Sequence, residues 1–107
     1  MISKEEAKIL LEEHVSDEYQ LMHAQMVAVV MEEYAEKWHI TGILHDIDYE
    51  EFPKEHPLKS LEWLEAADVS ADVLHAIEAH AYNKTGVKPE SKLASALIAV
   101  DELCGFL

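Results

Sequence analysis

The 107-residue sequence contains no arginine: all eight basic residues are lysine, set against 22 aspartates and glutamates for a net charge of −14. That balance argues against a nucleic-acid polymer or an anionic membrane as partner, because such a surface repels phosphate and carries no basic stripe to offset the repulsion. It favours cations instead. Cysteine is nearly absent too. Cys104 stands alone, so no internal disulfide can form, and a single thiol suits a reducing cytoplasm. There is no long hydrophobic run; the longest uncharged one near the middle, QMVAVVM, is far too short to span a bilayer. The opening, MISKEEAK, is charged from its fourth residue and does not resemble a signal peptide. Repeats, low-complexity tracts and linkers are missing as well. The expectation is a soluble, cytoplasmic protein with a single domain over residues 1–107, half of its residues hydrophobic and able to build one modest core.

What is present reads as helix nearly throughout. Ser3 with Glu6 forms a capping box opening a helix to about His14. Ser16 or Asp17 starts a long second helix, with Tyr19, Met22, Met26, Val29, Val30 and Tyr34 expected along its inward face, fading near Trp38 and His39. Thr41 can cap a short third helix carrying Ile43, Leu44 and Ile47. Pro57 suits the first turn of a fourth, with Leu58, Leu61 and Leu64. Ser70 caps a fifth, with Val73, Leu74 and Ile77 inward and its end near Ala81. YNKTGVKPE is a polar loop. Ser91 opens a last helix with Leu93, Leu97, Val100, Cys104 and Leu107 on one stripe. No segment reads as a strand, so the fold class is all-α, a bundle of about five to six helices. The apolar pattern is still running at Leu107. Either that end docks into the core or the domain is truncated on its C-terminal side.

Ionisable residues interrupt these apolar faces. His23 shares a face with Tyr19, Met26, Val27 and Val30, His80 lies one turn beyond Ala76 and Ile77, and Asp101 is flanked by Leu97, Ile98, Cys104 and Gly105. A buried carboxylate without a partner is costly. No arginine exists to pair with Asp101, and Lys92 lies too far back on the same helix. A metal ion would satisfy it and would equally explain the inward histidines. His45–Asp46, behind two aliphatic residues in ILHDIDYE, joins the set, and His56 can reach it from the loop before Pro57. Imidazole with carboxylate favours Mn, Fe, Co, Ni or Zn over Ca or Mg.

An inward His, an adjacent His–Asp pair and a distant Asp, here His23, His45–Asp46 and Asp101, resemble the HD superfamily of metal-dependent phosphohydrolases. The likeness runs over roughly residues 15–107, and the Asp48, Tyr49, Glu50 run and the AVDELCGFL ending look like those of small predicted hydrolases in that superfamily. The resemblance implies an all-α domain with one or two divalent transition ions. His23, His45, Asp46 and Asp101 would hold the first, and His56 and His80, with Asp46 bridging, the second. It implies His45 and Asp46 as the catalytic pair and a small phosphorylated molecule, a nucleotide among the possibilities, as substrate. Asn83, Lys84 and Lys88, after His80, are the phosphate-positioning candidates. Some nucleotidase members have a water-activating Glu where Tyr49 stands, leaving Asp48 or Glu50 to substitute. Family domains often continue beyond the final Asp, so a second copy in a homo-oligomer is an alternative source of pocket wall.

Competing readings are weaker. An EF-hand loop from Asp46 fails because Glu51 stands where the turn needs Gly and Pro57 where the bidentate Glu belongs. Glu36 and His39 have di-iron spacing but no second copy. His14 and His39 read as solvated or capping groups, His75 as a surface residue and Cys104 as a small buried hydrophobe. The alternative to an enzyme is a non-catalytic metal- or partner-binding module of the same type.

Overall fold

The computed structural model describes residues 2–32 and 36–105. It is an all-α bundle of seven helical segments among those residues: α1 Lys4–His14, α2 Glu18–Met31, α3 Glu36–Leu44, α4 Leu58–Ala66, α5 Ala71–His80, α6 Tyr82–Thr85 and α7 Lys92–Gly105. None of them is long and apolar enough to cross a membrane.

Local chemistry explains where the helices begin. Ser3 Oγ accepts from Glu6 N while Glu6 Oε1 accepts from Ser3 N, both at 3.1 Å, so the capping box of α1 is complete. Asp17 accepts from Gln20 N at 2.9 Å and opens α2. Ser91 Oγ accepts from Ala94 N at 3.0 Å at the head of α7. Ser70 stands at the α5 N-cap, but its hydroxyl donates to Asp72 instead of capping the backbone. Within the expected 82–90 loop, α6 forms a single turn that closes on Gly86, whose φ of 74° is left-handed.

The helix expected to run from residue 17 to about 38 is interrupted. α2 stops at Met31, and α3 folds back on it to bury Ile40, Ile43 and Leu44. No Pro or Gly marks the break, so packing overrides local continuity. Thr41, expected as a cap, lies inside α3, where its hydroxyl donates to the Lys37 carbonyl at 2.8 Å.

The inward face of α2 also differs from expectation. Ala24, Val27, Ala28 and Met31 are buried, whereas Tyr19, Met22, Val29 and Val30 are exposed and Met26 is partly covered; Tyr34 lies outside the described residues. Because residues 21–31 are apolar except for His23 and Gln25, their period could not say which side turns in. Residue size decides it. A Cβ built on Gly42 of α3 would lie 2.7 Å from both Cα and N of Ala28, so these helices meet backbone to backbone and only small residues fit between.

α3 sits centrally, packed on α1, α2, α5 and α7. The core around it includes Leu11, Val27, Leu44, Ile77 and Leu97. Leu93 and Cys104 of α7 are buried and Val100 partly so, while Leu107 lies outside the described residues. His14 is no solvated cap: its ring stacks on Trp63 at 3.8 Å, and Nδ1 bonds Glu51 at 2.7 Å. The C-terminal end of α3 delivers His45 and Asp46 to the middle of the bundle.

Candidate metal centre

His45 follows α3 directly and is fully buried. Its Nδ1 lies 2.7 Å from the carbonyl of Gly42, an atom that can only accept, so Nδ1 carries the proton. Nε2 then faces Asp101 Oδ1 of α7 at 3.1 Å and Asp46 Oδ2 at 3.3 Å. From α2, His23 Nε2 reaches the same Asp101 oxygen at 2.8 Å. One ligating atom from each of these four residues lies within 4.8 Å of all the others.

A second cluster shares one member. His80, the last residue of α5, places Nε2 3.1 Å from Asp46 Oδ1, and His56 Nε2 approaches that oxygen at 3.2 Å. Both rings are held from behind. His80 Nδ1 donates to the Ile77 carbonyl, and His56 Nδ1 bonds Asp48 Oδ1 at 2.5 Å. When neutral, the two rings therefore turn bare Nε2 lone pairs toward each other, at 3.2 Å. Two acceptors at that distance repel unless a proton or a cation lies between them. The donor set thus fits a cation in both clusters, with one oxygen of Asp46 turned to each. All six residues singled out as ligands in the sequence are brought together here.

Asp48 has a role that sequence reasoning missed. It is fully buried, bonds His56 through one oxygen and accepts from Ser60 N at 3.0 Å through the other. Both its oxygens are engaged, so it is not poised to act as a water-activating Glu. Glu50 is likewise engaged: it accepts from Ser16 N at 3.0 Å and Asp17 N at 2.6 Å, tying the dyad loop to the α1–α2 turn. The only sequence sign of the Asp48 role was its place two residues after Asp46. An outer carboxylate of this kind orients the ring and raises its basicity. Asp48→Asn should therefore weaken ion binding at Asp46, His56 and His80 by about 10–100-fold and spare the other cluster. A competition titration resolving two classes of site checks this; equal weakening of both would contradict it.

Electrostatics link the two clusters. Burial pulls the His45 imidazole down, but Asp46 and Asp101 outweigh it and hold the ring well above its ordinary value. Burial likewise pushes Asp46 up, yet His45 and His80 keep its carboxyl well below the usual range. Asp101 is opposed by burial and lowered by His45 and His23. In chelator-treated protein the two carboxylates thus favour the protonated His45 ring. Its stabilisation is complete below the unfolded histidine value and lost as pH rises through the raised folded one. An ion must displace that proton, so affinity at the first cluster should rise about tenfold per pH unit. Calorimetry in buffers of different ionisation heat should count about one released proton; none would contradict the imidazolium.

Two spaces flank the centre. A cavity of about 310 Å³ lies on the α1–α2 side, lined by Leu11, Val15, Ala24 and Ile43 together with Tyr19, Gln20, His23, Asp46 and Asp101. A polar groove on the other side is lined by Asp46, His56, His80, Asn83 and Lys84. Tyr49, in edge-on contact with His56 at 5.6 Å, borders both. Of the phosphate-positioning candidates, Asn83 and Lys84 reach the groove, whereas Lys88 is exposed and outside its lining. Lys84 Nζ donates to the Pro53 carbonyl at 3.2 Å, a neutral partner. His75 accepts from Glu90 N, and His39 pairs with Glu32, both apart from the centre. Cys104 is buried, and that burial, with Asp101 nearby, pushes its thiol up. No family model, curated protein or solved structure matches the chain.

Proposed function

We propose that the chain is a metal-dependent phosphohydrolase of the HD type, acting on a phosphomonoester or phosphodiester, nucleotides among them. One observation carries the reading: two ligand clusters share Asp46, and His45, His56 and His80 each have Nδ1 committed so that Nε2 faces inward. His23, His45, Asp46 and Asp101 would hold one ion, and Asp46, His56 and His80 a second. Imidazole and carboxylate in these proportions suit Mn, Fe, Co, Ni or Zn. Such an ion supplies Lewis acidity, drawing charge from phosphoryl oxygens and lowering the pKa of water.

The chain's own residues do the rest. The carbonyls of Gly42 and Ile77 and the carboxylate of Asp48 hold the rings in the one tautomer that leaves Nε2 free. Lys84, paired among the described residues with the Pro53 carbonyl, can turn its charge toward a phosphate in the groove, and Asn83 adds an amide beside it. A chain this acidic needs such local positive charge to admit an anion at all. The lone buried thiol and the absence of arginine-rich surface suit a cytoplasmic enzyme.

The test is metal content by elemental analysis beside an Asp46→Ala control, followed by a phosphoester panel with the metal found. One or two transition ions per chain, lost in the control, with turnover, supports a hydrolase. Ions without turnover would favour the non-catalytic binding module, which shares every ligand. Refusal of all five metals would sink both.

A further inference from the structure

The cavity beside His23 and Asp101 constrains what an ester bound at this centre can carry. Resting on the phosphohydrolase reading, we infer that the organic part of the substrate is an uncharged, mainly carbon group of about two fused rings, bearing one hydrogen-bonding group that meets Gln20. Its phosphate lies toward the groove holding Lys84.

The cavity lining is mostly carbon. Leu11, Val15, Ala24, Ile43 and the Tyr19 ring supply it, His23, Asp46 and Asp101 line the same space, and no lysine does. Its volume of about 310 Å³ is roughly twice that of the apolar cavity, about 150 Å³, known to take benzene. A second phosphate there would meet the carboxylates of Asp46 and Asp101. An apolar ring system gains from the same walls in proportion to the area it buries.

Gln20 supplies a polar group without a partner. It lines the cavity, and its Oε1 is buried with no hydrogen-bond partner among the described residues. A buried acceptor left unpaired is costly, and a ligand N–H or O–H in the cavity is the group that would satisfy it once the amide turns. Asp46, Tyr49 and Asp101 border both the cavity and the groove, so an ester spanning the two places its phosphorus beside the ligand clusters. In the hydrolysis, the oxygen of water bonds to phosphorus and the P–O bond to the cavity-side alcohol breaks. The departing alcohol takes a proton from that water, and inorganic phosphate is the other product.

Indole and 1-methylindole are the probes, titrated by calorimetry into chelator-treated and metal-loaded protein. The pair shares a shape and differs in the N–H. Indole should bind both forms, about tenfold more tightly than 1-methylindole, a gap that should close in Gln20→Leu. Tyr19→Ala, at a half-exposed position in the cavity lining, should weaken both probes. With metal, kcat/KM for indoxyl phosphate should exceed that for glycerol 3-phosphate by at least about 100-fold. Failure of indole to bind, indifference to both substitutions, or equal turnover of the two esters would overturn the inference. Failure of the phosphohydrolase reading looks different: indole would bind as described while no ester was hydrolysed with any metal.

Discussion

Gly42→Ala should lower the stability of the protein by about 2 kcal/mol, although alanine is the better helix former by about 1 kcal/mol. The added methyl would meet Cα and N of Ala28 at 2.7 Å and the carbonyl carbon of Val27 at 3.0 Å. All three are backbone atoms, so no side chain can rotate away. α3 would have to move off α2, and overpacking of this kind costs about 3 kcal/mol where relief is poor. The same shift would carry His45 away from His23, because the two sit on opposite sides of that contact. Urea denaturation measures the first effect and metal titration of the first cluster the second. A variant as stable as the parent would mean that the α2–α3 spacing adjusts freely.

Asp46→Asn should abolish tight ion binding at both clusters, by at least about 100-fold, the upper end of what even an indirect ligand partner contributes. The substitution keeps the shape and removes the charge. Oδ2 faces His45 and Oδ1 faces His56 and His80, so one carboxylate serves both sides. His23→Ala, by contrast, should empty only the first cluster, and His56→Ala only the second. Elemental analysis of the three variants would separate the cases. Retention of one ion in Asp46→Asn would show that Asp46 does not bridge.

Three of the six clustered residues were readable in the sequence because they offended a local rule. His23, His80 and Asp101 stand where helical periodicity calls for carbon, and polar groups there need partners. Asp48 broke no such rule. It lies in a turn, where an aspartate is ordinary, and its burial depends on how residues 45–57 fold beneath α4. The bundle itself followed from periodicity, but the inward side of α2 did not, since a helix apolar all round has no preferred face. Its orientation is set by Gly42, more than ten residues away in the chain. Of the phosphate-positioning candidates, Lys84 and Lys88 are indistinguishable by composition, and only the α6 turn separates one from the other.

Glu50 joins the dyad loop to the α1–α2 corner. Its carboxylate, held below the usual glutamate range by the backbone N–H groups of Ser16 and Asp17, secures the head of α2 from outside that helix. Hydrogen exchange at those two amides therefore reports the opening of a loop that ends at the ligand centre. Protection there should persist through the ordinary titration range of a glutamate and fall only as pH drops through the depressed value. Those two amides would then owe their protection to a side chain more than thirty positions further along the chain.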